Sequence, residues 1–114
     1  MTLKQRWKQW EADLAAALGL ELTTSSGNQW YDPGDATTRG RASLWPWYAE
    51  ARYTEASSYR VNGWELAQWS DRAASLGKRL IVGLRFAHRN GVGPEDYVLM
   101  RKDDFEELLD AKRI

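Results

Sequence analysis

Leu3, Trp7, Trp10, Leu14 and Leu18 recur at the three- and four-residue intervals of one helix face. Ala15, Ala16 and Ala17 add helix propensity, and Gly19 supplies a stop, so the chain is predicted to open on a helix. The pattern then breaks. Residues 23–34, TTSSGNQWYDPG, carry the composition of a loop. Beyond it the period shortens to two. Residues 35–39 and 45–54 read as the arms of a hairpin that turns through 40–44. Pro46 has no N–H for a sheet ladder, so the regular part of the second arm is expected to begin after it. Alternation puts Tyr48, Glu50, Arg52 and Thr54 on one face of that arm and Trp47, Ala49, Ala51 and Tyr53 on the other.

Helical spacing returns with Leu66, Trp69, Ala73 and Leu76, behind Asn62 as a cap and ahead of Gly77 as a terminator. RLIVGLRF is then an unbroken apolar run of the length and composition of a buried strand. HRNGVGPED reads as a turn and YVLM as a short strand. Asp103 is placed to cap a last helix bearing Phe105, Leu108 and Leu109, with Glu106 completing a capping box. The residues thus give the order helix, hairpin, helix, strand, strand, helix: an α/β chain. No repeat and no Ser-, Gly- or Pro-rich linker divides it, so residues 1–114 are expected to form one domain.

Composition narrows the chemistry. The absence of Cys excludes disulfides, thiolate catalysis and Cys-ligated zinc, and a single His excludes a multi-histidine metal site from one chain. No apolar run is long enough for a membrane span, and MTLKQRWKQW lacks a signal-peptide core. The expected setting is the cytoplasm of a bacterium or of a phage-infected host cell. Formal net charge is zero, which weighs against a purely electrostatic nucleic-acid binder, although acidic metal ligands would offset basic contacts elsewhere. Seven Trp residues serve either packing or stacking on unpaired bases, and packing is the more general use.

Candidate chemistry gathers between Asp35 and Arg52. If the hairpin pairs Arg39 with Pro46, antiparallel register sets Asp35 opposite Glu50, with Cβ atoms roughly 5 Å apart. Two carboxylates that close repel unless a proton or cation lies between them. Mg²⁺ is commonly held by one or two carboxylates while it keeps several waters. Arg52 lies two residues beyond Glu50 on the same face, directed toward any anion such a metal would hold. Paired acids, a cation and a neighbouring base suit a phosphodiester.

The order of these pieces resembles the PD-(D/E)XK nuclease superfamily, in particular its small Holliday junction resolvase and phage nuclease members. The matching residues are Glu11 on the first helix, Ser26-Gly27 in the loop, Gly34-Asp35 opening a strand, and Glu50-Ala51-Arg52 on the next. The resemblance spans nearly the whole chain. It implies a restriction-endonuclease-like mixed sheet flanked by helices in the order α-β-β-β-α-β-β-α. It further implies that Asp35, Glu50 and the Ala51 carbonyl bind Mg²⁺ or Mn²⁺, that Glu11 assists through the metal's waters, and that the substrate is DNA, branched forms included. A homodimer is implied because two cuts need two sites. Asp32 competes for the role of Asp35. Where the family carries Lys this chain has Arg52, which stays charged and cannot act as a base, yet can orient water or hold a phosphate bidentately.

Each candidate has a plainer reading. Glu50 and Arg52 would make an ordinary same-face salt bridge on an exposed strand, and Glu11 would be a solvated helix residue. Ser26, Arg39 and Arg41 in the loop and turn, and Gln68 on the second helix, are candidate DNA contacts or surface residues. His88, Arg60, Arg85 and Arg89 are weaker candidates of the same kind. The leading expectation is a metal-dependent endonuclease. The alternatives are a catalytically silent nuclease-fold protein that binds DNA or a protein, and a structural phage or accessory protein.

Overall fold

In the computed structural model, residues 1–18, 21–22, 36–37, 47–88 and 91–112 are described. Helix α1 (Leu3–Leu18) is followed by two short strands, β1 (Glu21–Leu22) and β2 (Ala36–Thr37), and by the long strand β3 (Trp47–Thr54). Helix α2 (Gly63–Ser75), strands β4 (Arg79–Phe86) and β5 (Glu95–Met100) and helix α3 (Lys102–Lys112) complete the chain. The protein is therefore of mixed α/β class. Its single sheet has the order β1-β2-β3-β4-β5. β3 and β4 run parallel and pair along their whole length, from Trp47–Arg79 to Thr54–Phe86, while the other neighbours are antiparallel. A parallel pair needs a crossover, and α2 provides it.

Local chemistry explains the element ends. Thr2 and Gln5 close a capping box at the start of α1: the Thr2 N–H donates to Gln5 Oε1 (2.8 Å) and the Gln5 N–H to Thr2 Oγ1 (3.2 Å). Asn62 caps α2 as expected, its Oδ1 accepting from the N–H groups of Trp64 and Glu65. Gly77 follows α2 with φ +67, a value that favours glycine. β3 starts one residue after Pro46.

Some expectations are corrected. Asp103 does not cap α3. The helix already includes Lys102, and the Phe105 N–H donates to the Arg101 carbonyl, so Asp103 and Asp104 lie in the first turn, where the helix dipole favours acids. Glu106 pairs with Lys102 at i,i+4 instead of closing a box. Leu76, at the end of α2, is exposed and outside the packed stripe. Residues 21–22 form a strand that alternation did not reveal, and β5 starts at Glu95, ahead of the YVLM run.

The sheet is covered on two sides. Below it, Trp10, Leu14 and Ala15 of α1 pack on Trp47, Ala49, Ala51, Tyr53 and Ile81. Above it, Trp69 and Ala73 of α2 pack on Tyr48, Leu80 and Val82. Alternation on β3 thus sorts the two faces as its sequence implies. Arg85, one of the weaker phosphate candidates, is committed to the lower layer. It grips Asp96 through two bonds of 2.7 and 2.9 Å, reaches Asp13 at 3.0 Å, and lies 4.4 Å over the Trp10 ring.

The closest packing is at Gly83. A Cβ there would lie 2.6 Å from Leu14 Cδ2 and 2.9 Å from the Trp10 ring, while the Trp10 indole N–H donates to the Gly83 carbonyl at 3.2 Å. Gly83→Ala is expected to destabilise the fold by about 1–3 kcal/mol through overpacking, measured by urea unfolding. Loss of the α2 cap in Asn62→Ala is expected to cost about 1 kcal/mol in the same assay.

Candidate functional site

Strand β3 is covered on both faces, so every side chain on its central stretch leaves water. Ala49 and Ala51 accept this at no cost. Glu50, between them on the α2 face, does not: its side chain is only 6 % exposed. An isolated buried carboxylate would cost several kcal/mol. Arg52, on the same face two residues on and 22 % exposed, brings its Nη2 to 3.3 Å from Glu50 Oε2. Its Nη1 donates to the Ala51 carbonyl at 2.9 Å, and its guanidinium lies 4.4 Å over the Trp69 ring. The guanidinium is thus held between a carboxylate, a backbone carbonyl and an aromatic face of α2. The salt bridge anticipated as the plain reading is present, but it is inside the protein and not on an exposed strand.

The register of β2 on β3 pairs Ala36 with Ala49 and Thr37 with Tyr48. This is the register that pairing Arg39 with Pro46 would produce. Asp35 itself lies outside the described residues, as do Ser26, Asp32, Arg39, Arg41 and Arg89. Glu11 is buried in the inward stripe of α1 beside Trp10 and Ala15. That helix packs on the face of β3 opposite to Glu50, so the layers assign the two acids to different sides of the sheet. Gln68 is on the exposed side of α2, and Arg60 and His88 are exposed. Among the described residues, no group of three or more Cys, His, Asp or Glu is gathered to hold a metal ion. Of the three expected ligands, Glu50 and the Ala51 carbonyl are described and Asp35 is not. Both described groups are hard oxygen donors of the kind Mg²⁺ takes, and Arg52 now spans them.

Sequence reasoning passed over Tyr59. Burial pushes its hydroxyl above the ordinary tyrosine range; Arg52 acts in the opposite sense, and Glu65 and Glu50 reinforce the rise. Tyr59 therefore lies within reach of the Glu50–Arg52 pair from the loop before α2. Nothing in the SSYR stretch marks it, because loop residues carry no period. It also lines an apolar cavity of about 280 Å³, together with Leu66, Trp69, Leu84, Tyr97 and Leu99. Trp69 is shared: it lines the cavity and also lies against the Arg52 guanidinium. Trp64, at the start of α2, is 72 % exposed and so is not part of the core packing expected for most of the Trp residues.

Comparison with protein-family models, with curated proteins and with solved structures finds no match.

The ion pair makes an asymmetric prediction. Arg52→Ala strands a buried carboxylate and is expected to destabilise the protein by about 1–3 kcal/mol. Glu50→Gln leaves a partly exposed guanidinium still stacked on Trp69 and is expected to stay within about 1 kcal/mol of wild type. Chemical denaturation of the two variants at neutral pH checks the order.

Proposed function

We propose that the protein is a metal-dependent DNA endonuclease with a restriction-endonuclease-like sheet, acting on phosphodiester bonds in the manner of a Holliday junction resolvase. The supporting observation is Glu50, a buried acid on the α2 face of the central strand with a basic side chain two residues on. The observed β2–β3 register, continued by one residue, would bring Asp35 to the same place.

In this reading Glu50, Asp35 and the Ala51 carbonyl hold Mg²⁺ or Mn²⁺. The bound ion would supply an activated water and neutralise charge on the phosphate oxygens. Arg52 leaves Glu50 and the Ala51 carbonyl and turns its planar fork to the phosphate, where it stabilises the charge that grows as water attacks in line. Trp69 keeps the guanidinium beside the site in either position. Glu11, buried with α1 on the opposite face of the sheet, takes no part in holding the ion in this reading. Arg39, Arg41, Ser26 and Gln68 contact the DNA backbone. The enzyme works as a homodimer in the cytoplasm of a bacterium or of a phage-infected cell. What the structure itself gives on location is that, among the described residues, no helix is long and apolar enough to cross a membrane.

Incubation with labelled junctions, flaps, nicked and plain duplexes is expected to give Mg²⁺- or Mn²⁺-dependent cleavage that chelator stops. Asp35→Asn and Glu50→Gln should each abolish it while the fold persists. Wild-type rates in both variants would refute the ligand assignment.

One observation favours a second reading, a silent nuclease-fold protein that binds DNA or a protein without cutting. The Arg52 guanidinium occupies the two described ligand groups, and Arg cannot give up its proton. Arg52→Lys separates the readings. If the guanidinium works on the phosphate, Lys will cut no faster, because the bidentate geometry is lost. If it blocks the site, Lys will raise cleavage from a low or absent level.

A further inference from the structure

Helix α2 packs on β3 and β4 and leaves the last strand of the sheet, β5, uncovered on that side. The register of β5 on β4 sets Leu99 beside Val82 and Tyr97 beside Leu84, so the sheet continues past the helix as an apolar floor. Leu66 and Trp69 of α2 wall the space above it, and the result is the cavity of about 280 Å³. A dry apolar cavity of about 150 Å³ already takes up a benzene ring, so this one has room for a ring with a short chain attached. The cavity also falls near the lower end of the range of small-molecule sites, about 300–1,000 Å³.

One charge distinguishes it from a simple packing gap. Among the described residues that line the cavity, Glu65 is the one with a formal charge. Its side chain is half-buried, and among the described residues its carboxylate makes no salt bridge or hydrogen bond. Glu65 stands close enough to the Tyr59 hydroxyl to help push its ionisation up. Tyr59 lines the same cavity, so an acid and a hydroxyl oxygen meet beside the apolar floor. The neighbouring cation, Arg52, is engaged by Glu50 and the Ala51 carbonyl, which leaves Glu65 unanswered. We infer that the cavity between α2 and β5 binds a small arylalkylamine, its ring between Trp69, Leu66 and the β5 floor and its ammonium on Glu65 and Tyr59.

The chemistry of the lining selects that class. Burial of the ring supplies the driving force, and the aromatic side chains of Tyr59, Trp69 and Tyr97 offer faces that attract cations and repel anions. Tyr97 is held edge-on to Phe86 with ring centroids 5.9 Å apart, so part of the floor is fixed before a ligand arrives. An ammonium supplies three donors to the carboxylate and the hydroxyl. A carboxylic acid of the same shape would bring a second negative charge to Glu65, and a neutral alcohol would leave Glu65 without a counter-ion. Glu65 also lies in the first turn of α2, where the helix dipole favours an acid. That role predicts a loss of stability on its removal and no effect on ligand choice, so the two can be told apart. The site stands whether or not the protein cuts DNA.

Titration of the isotope-labelled protein with phenethylamine, phenethyl alcohol and hydrocinnamate, followed by nuclear magnetic resonance, tests it. Phenethylamine is expected to shift the Trp69 indole and the Leu66 and Leu84 methyl signals saturably, and to bind about tenfold tighter than the alcohol. Hydrocinnamate should bind weakest. Glu65→Gln should bring the amine to the level of the alcohol and leave the alcohol unchanged. Leu99→Trp, at the half-exposed rim, fills the floor and should abolish the shifts from all three compounds, with the rest of the spectrum preserved. No saturable shift with phenethylamine, equal binding of the three compounds, or wild-type binding by Leu99→Trp would each overturn the proposal. An amine preference that survives Glu65→Gln would also overturn it and assign Glu65 to the helix terminus alone.

Discussion

A carboxylate in the middle of a strand that is buried on both faces must be given a positive charge, and much of this molecule is arranged around meeting that need at Glu50. β3 is covered by α1 on one side and α2 on the other, because it lies inside the sheet and pairs fully with β4. Taking Glu50 out of water there costs several kcal/mol unless a cation answers it. Arg52 does so from the next position on the same face, and its guanidinium is in turn covered by Trp69. The indole cannot take that place unless α2 docks with its Trp69–Ala73 stripe against Tyr48 and Leu80. The ion pair, the helix that covers it and the parallel crossover that delivers the helix therefore stand together.

A cation at that point has consequences for chemistry. The two groups that Arg52 now touches are the two described donors expected to hold a divalent ion. The same oxygens cannot serve both at full strength, so any metal held there would have to displace Arg52. A Lys, with its compact charge and its ability to lose a proton, would not span both groups with a planar fork. Arg52 gives Glu50 a built-in counter-ion that keeps the buried acid stable. In the proposed reading, the same contact that favours folding would oppose metal loading.

Much of this was legible in the sequence, for physical reasons. The stripe of Trp7, Trp10 and Leu14 fixed α1, the RLIVGLRF run fixed β4 to the residue, and Asn62 marked the start of α2 because its side chain has an obvious N–H to satisfy. Pro46 placed the start of β3, and alternation sorted Glu50 and Arg52 to one face. The fold class followed from those elements. Other features were not legible. Thr2 and Gln5 form a capping box, whereas Asp103 and Glu106 match the same pattern and form none, because a cap depends on where the preceding chain enters the helix. Arg85 looked like a phosphate ligand because nothing local shows that Asp13 and Asp96 converge on it from two other elements. Tyr59 reaches the site only through tertiary packing. The burial of Glu50 depends on α2 covering its face of the sheet and could not be read from β3 alone. The other half of the expected acid pair, Asp35, lies outside the described residues, so that part of the site rests on the register of its two neighbours in β2.

The most direct test of the central claim, that the buried acid at Glu50 is a metal ligand now shared with Arg52, is Mn²⁺ binding followed by electron paramagnetic resonance in the absence of DNA. The account predicts saturable binding to wild type at one ion per chain, tighter binding to Arg52→Ala, in which the two oxygens are released, and none to Glu50→Gln. Absence of binding to both wild type and Arg52→Ala, or equal binding to Glu50→Gln, would contradict it and leave Glu50 and Arg52 as a structural ion pair.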